Sequence, residues 1–153
     1  MTIPPEIAPE ASFLDAPSDP ELIALYNLWR GKRGLRLMPS RSDFDPDEFR
    51  SLLPNVFILQ VDLQADGDFN VRLAGETVIE FFGCREHPAG AFEGREAMAR
   101  LMKVVIERRA PIFRAGPAYW SPSKQHRHFE ACFLPLSTDE KSVNMVLAAV
   151  KFS

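Results

Sequence analysis

The sequence predicts an α+β fold, an antiparallel sheet with helices against both of its faces, and three observations carry that expectation. The first is the stretch from Asn55 to Gly75. Asn55 to Leu63 is rich in β-branched and aromatic residues, Gln64-Ala65-Asp66-Gly67-Asp68 supplies turn chemistry, and Phe69 to Leu73 alternates apolar with polar, so a hairpin is expected. In its first strand Phe57, Leu59, Val61 and Leu63 share one face while Val56 and Ile58 point to the other, so that strand needs a cover on each side. The second observation is a pair of helical stripes able to supply those covers: Leu22, Leu25, Tyr26 and Trp29 before the hairpin, and Met98, Leu101, Met102 and Val105 after it. The third is a run of strand candidates that completes the sheet: Ile112 to Trp120, Gln125 to Leu136 and Val143 to Phe152.

Each element has its own boundary signals. Residues 1–17 hold Pro4, Pro5, Pro9 and Pro17 among small and acidic residues and read as a flexible Pro-rich arm; residues 18–153 read as a single domain. Ser18-Asp19-Pro20-Glu21 has the spacing of a capping box that opens the first helix, and Gly31 is placed to stop it. Asp45-Pro46-Asp47-Glu48 opens a second helix, with Phe44 and Phe49 at the positions of a hydrophobic staple, and Pro54 ends it. After the hairpin, Ala74-Gly75 turns into a short helix over Glu76 to Phe82, stopped by Gly83, and a longer one follows from near Arg95 to Arg109, closed by Pro111. Gly116-Pro117 interrupts the next strand and predicts an edge position or a bulge. Ser137 to Ser142 turns between the last two strands.

Composition narrows the function classes. A chain of 153 residues, 46% hydrophobic and 25% charged, has the balance of one globular domain able to bury roughly two-thirds of its unfolded surface. A formal charge of -3 argues against a dedicated nucleic-acid binder. Cys84 and Cys132 form neither a disulfide framework nor a zinc module, Met1 to Pro17 lacks a signal-peptide pattern, and no apolar run is long enough to span a bilayer. A cytoplasmic protein without a membrane segment is the expectation.

Several motifs together resemble the PAS-domain superfamily, and within it the PAS-like bacterial family formerly listed as a domain of unknown function. They are Tyr26-x-x-Trp29, Pro39-Ser40-Arg41-Ser42-Asp43-Phe44-Asp45-Pro46, Leu52-Leu53-Pro54, Arg72-Leu73-Ala74-Gly75 and Leu134-Pro135-Leu136-Ser137, set in the order helix, helix, two strands, helices, three strands. The resemblance covers residues 18 to 152. It implies a PAS-like five-stranded antiparallel sheet with helices on one face enclosing a pocket and N-terminal helices packed on the other, and a sensory or partner-docking role in bacterial cytoplasm. Arg41, Asp45, Arg72 and Gly75 match its motif. Gly75 is expected at a turn too tight for a Cβ, and Arg72 to pair with Asp43 or Glu130 rather than hold a ligand.

Candidate sites follow. A pocket lined by Leu59, Val71, Val78, Phe82, Met98, Met102 and Leu147 would suit a small apolar or aromatic ligand. Arg30, Lys32, Arg33, Arg36 and Arg41 form the most basic stretch; a solvated loop is one reading, and contact with phosphate or an acidic partner the other. His126, His128, Glu130 and Cys132 alternate along one strand face, yet that face is too long for one ion to collect all four, so no metal site is expected. Gly83-Cys84-Arg85 shares a Cys-Arg pair with flavin-binding light sensors but not its neighbours, and neither flavin nor haem through His87, His126 or His128 is expected. No catalytic motif stands out. The expectation is therefore a non-catalytic sensory or signalling adaptor that dimerises through its N-terminal helix or an exposed sheet face. With only the arm before Ser18 and only Ser153 after Phe152, its signal is expected to leave through a protein partner. The alternative is a nucleotide- or nucleic-acid-binding protein using Arg30 to Arg41.

Overall fold

The computed structural model describes residues 12–62, 68–82, 95–118, 120, 124 and 126–153. Strands β1 (Ser12–Leu14), β2 (Val56–Asp62), β3 (Asp68–Ala74), β4 (Ile112–Pro117), β5 (His128–Leu136) and β6 (Met145–Phe152) form one antiparallel sheet in the order β1-β4-β5-β6-β2-β3. Helices α1 (Pro20–Arg33), α2 (Glu76–Phe82) and α3 (Arg95–Arg108) accompany it, with 3-10 segments at Arg41–Asp43 and Pro46–Asn55. The sheet is thus α+β in the expected sense, with six strands rather than five.

The extra strand is β1. Ser12 to Leu14, read from sequence as part of a loose arm, pair with Ala115, Arg114 and Phe113 of β4. Their alternating Ser-Phe-Leu pattern fits a sheet edge, a local signal that the surrounding prolines masked. Because β1 covers it, β4 is not the edge strand that Gly116-Pro117 suggested.

Register fixes the two faces. Phe57, Ala148 and Phe133 are cross-strand partners, as are Ile58, Leu147 and Leu134 one residue further along. The first set meets α2, where Phe57 and Phe82 lie 6.1 Å apart between ring centres. The opposite face meets α1, where Tyr26 packs edge-on against Phe113 at 4.9 Å. Both covers demanded by β2 are present, and Val56, Phe57, Ile58 and Leu59 are all buried.

Local chemistry adjusts three boundaries. Asp19, not Ser18, caps α1, its carboxylate accepting the Glu21 and Leu22 N–H groups at 2.9 and 3.2 Å. Ser18 instead donates to Glu130, and Glu21 turns to Lys151 and Ser51. The helix runs past Gly31 and ends at Gly34, whose φ of 58° is the left-handed conformation glycine tolerates. The Asp45 capping box with Glu48 forms as expected, but the segment it opens is 3-10 rather than α, broken at Phe49 (φ -137°, ψ 39°) and crossed by Pro54.

Candidate functional site

A small cavity lies between α2, α3 and the sheet. The β5 alternation Phe129-Ala131-Phe133 points into it, opposite Phe57 of β2 and Phe82 of α2. Trp120 closes the cluster, stacked on Phe82 at 5.1 Å with 12° between the rings and edge-on to Phe129 at 4.9 Å. Met98 and Leu101 of α3 complete the wall. Lys124 lies over the Phe81 ring at 5.1 Å, and its ammonium donates to the carbonyls of Glu80 and Phe81 near the C-terminus of α2.

The cavity left among these side chains is about 30 Å³. A water molecule needs about 10–15 Å³, so the space left among the described side chains is of the order of one or two waters.

Of the seven residues expected to line a pocket, Phe82 and Met98 do so. Leu59, Val78 and Met102 are buried in the surrounding core without lining the cavity, and Val71 is half-buried against that core. Leu147 lies on the other face, as partner of Ile58 and Leu134, toward α1. Phe57, Trp120, Phe129 and Phe133 were missed. The phenylalanine alternation in β5 could have found two of them, but the interleaved His128, Glu130 and Cys132 drew attention to the opposite face. Trp120, expected at the end of a strand, is instead half-buried in the aromatic cluster.

Arg72 pairs with neither expected carboxylate. Asp43 accepts from Arg36 and from the Ser40 backbone at 2.8 Å each. Glu130 accepts from the Ser18 N–H and hydroxyl at 2.6 Å and from the Asp19 N–H at 3.1 Å. Opposite β2, Leu73 faces Ile58 while Val71 faces Leu59, leaving Arg72 as the extra residue of a β-bulge. It is exposed on the edge strand β3.

The basic stretch is largely committed to the protein itself. Arg36 donates to the Lys32 and Arg33 carbonyls at 2.6 and 3.2 Å as well as to Asp43. Lys32 pairs with Glu48 at 2.9 Å, Arg41 donates to the Phe44 carbonyl at 3.3 Å, and Arg30 and Arg33 lie over the rings of Tyr26 and Trp29. These contacts close the C-terminus of α1 and tie it to both 3-10 segments. Asp45 serves as the cap described above.

The alternating polar face of β5 does not converge on an ion. His126 and His128 are exposed, Glu130 is engaged at the start of α1, and Cys132 is fully buried, where burial pushes its thiol up to about 12. Among the described residues no group of three or more His, Cys, Asp or Glu could hold a metal ion. Cys84, Arg85 and His87, which carried the flavin comparison and one haem candidate, lie outside the described residues. Among the described residues no helix is long and apolar enough to cross a membrane.

Comparison with known proteins agrees with this architecture. No curated protein and no solved structure gives a significant match, but a PAS domain family matches residues 18–151, nearly the whole chain. The chain belongs to that PAS domain family.

Proposed function

We propose that this protein is a non-catalytic, cytoplasmic signalling adaptor of PAS type that works as a homodimer and passes its signal by docking a protein partner. The observation that carries the reading is the filled interior. About 30 Å³ is left between sheet and helices among the described residues, which supports a role carried by the surface over one carried by a ring-sized ligand. The sheet is covered on both faces, so a second copy is expected on the outer side of α1, where Ile23 is exposed, rather than on bare sheet. The basic stretch favours this reading over nucleic-acid binding, because Lys32 and Arg36 already hold carboxylates.

The test is native mass spectrometry beside the denatured mass, with an absorbance spectrum of the same sample. A dimer mass without excess is expected. A stoichiometric mass excess or visible absorbance overturns the reading in favour of a ligand sensor. The aromatic walls favour that second reading to one extent: if Trp120 swings away from Phe82, a small planar apolar molecule could take its place.

A further inference from the structure

The β4 edge of the sheet would present open backbone donors and acceptors if β1 were absent. β4 spans Ile112–Pro117, and β1 pairs only Phe113, Arg114 and Ala115. Three residues make few ladder contacts against the entropy of ordering them, so β1 belongs to the least stable part of the sheet. Side chains nevertheless anchor it specifically. Phe13 lies over the guanidinium of Arg114 at 4.7 Å, and Arg114 is completely buried. Ser12 and Leu14 face the other way, beside their partners Ala115 and Phe113.

Next to this strand runs a groove of about 310 Å³ lined by Phe13, Leu14, Asp15, Arg108, Ile112 and Phe113. Arg108 brings positive charge to it, and its Nε is buried with no hydrogen-bond partner among the described residues. Asp15 lines the same groove. The segment paired with β4 therefore reads aromatic, apolar, acidic: a ring for Arg114, an apolar side chain for the α1 face, and a carboxylate on the wall of the groove that Arg108 also lines.

We infer that the β4 edge is a docking site for an extended segment of a partner protein with that residue order, and that Phe13-Leu14-Asp15 occupy this edge in the resting state. Docking is strand addition: main-chain hydrogen bonds to β4 give affinity, and alternate side chains give specificity. The chain's own segment competes for the same edge, so partner binding is gated by release of β1. The inference rests on the adaptor reading, but native mass spectrometry tests that reading independently of β1.

The probe is a fluorescent peptide with the sequence of residues 10–17, added to the full-length protein. Wild type is expected to bind it weakly, because its own β1 fills the edge. The Phe13→Ala protein, whose arm loses the ring over Arg114, is expected to bind at least about tenfold more tightly, and a peptide carrying the same substitution is expected to lose binding to it. Equal affinity of wild type and variant overturns the gating, and no binding to either overturns the docking site. Leu14→Ala serves if Phe13→Ala does not fold. Hydrogen exchange on wild type adds a readout free of any variant: the β4 amides that point to β1 should exchange well ahead of those in β5 and β6, and equal protection overturns the release of β1.

Discussion

Gly75 packs its backbone directly against the carbonyl of Leu53. A Cβ built on Gly75 would lie 2.3 Å from the Leu53 oxygen and 2.4 Å from the Pro54 oxygen, while the Gly75 N–H donates to the Val56 carbonyl at 2.8 Å. Two motifs distant in sequence, Leu52-Leu53-Pro54 and Arg72-Leu73-Ala74-Gly75, meet at that point. The glycine is needed for close approach of two backbones, not for the conformation of a turn.

Gly75→Ala is therefore expected to destabilise the fold, by about 1–3 kcal/mol if the backbones can part and by more if they cannot. For a protein of this size each kcal/mol lowers Tm by about 2–4 °C. Thermal unfolding by circular dichroism measures it; an unchanged Tm would mean that the contact is not tight.

The fold was legible where local chemistry and burial agree. The β2 alternation and the α1 and α3 stripes report which face is buried, the Asp45 capping box reports where a helical turn starts, and each stands where the pattern places it. Competition between partners was not legible. Ser18 could cap α1 or reach Glu130, and only the folded position of β5 decides. The Arg72 bulge was hidden for a related reason: an extra residue reverses facing within a strand, and Phe69-Asn70-Val71-Arg72-Leu73 alternates smoothly in sequence. The pocket suffered most, since its walls come from β2, α2, α3, β5 and the isolated Trp120.

The Trp29 indole N–H donates to the Pro135 carbonyl at 2.9 Å, joining α1 to β5 in a buried position. Trp29→Phe keeps most of the packing and removes the donor, leaving a buried carbonyl without it. The expected cost is about 1–3 kcal/mol, read from denaturant unfolding.

Stability should fall in acid, over a window set by particular carboxyls. Hydrogen bonds from the backbone N–H groups of Ser142 and Lys141, then from the Ser137 hydroxyl, lower Asp139 from 3.8 to about 2. Burial pushes Glu130 up, but hydrogen bonds from the Ser18 hydroxyl and the Asp19 and Ser18 N–H groups outweigh it and hold the carboxyl below its ordinary 4.5. Groups lowered in the folded state contribute fully above their unfolded values, and that contribution is lost as pH falls through the folded ones. Denaturant midpoints should hold from neutral pH to about 4.5 and then drop toward about 2. Asp139→Asn should flatten the most acidic part of that drop, and an unaltered profile would show that Asp139 is not bonded in this way.

Arg36→Ala separates the structural role of the basic stretch from a binding role. Its guanidinium holds Asp43 and the carbonyls that end α1, partly exposed to solvent. After allowance for screening, the expected loss is about 0.5–1.5 kcal/mol of stability. Affinity for duplex DNA should not change. A steep, salt-dependent DNA affinity that disappears with Arg36 would instead assign the stretch to phosphate contact.

Trp120 controls the size of the space into which Phe57, Phe82, Phe129 and Phe133 all face. It is half-buried, so Trp120→Ala should cost less than the roughly 3–5 kcal/mol of a fully buried aromatic. The space should grow from about 30 Å³ toward the volume of the lost indole, between apolar walls. Indole supplied in solution is then expected to bind the variant and raise its Tm, by about 2.7 kcal/mol of stabilisation at a hundredfold excess over Kd. Wild type should show no such shift, because its own ring fills the space. If indole stabilises both proteins equally, it binds elsewhere. If it stabilises neither, the walls have collapsed inward once the Trp120 ring is gone, and a ligand cannot enter by taking its place.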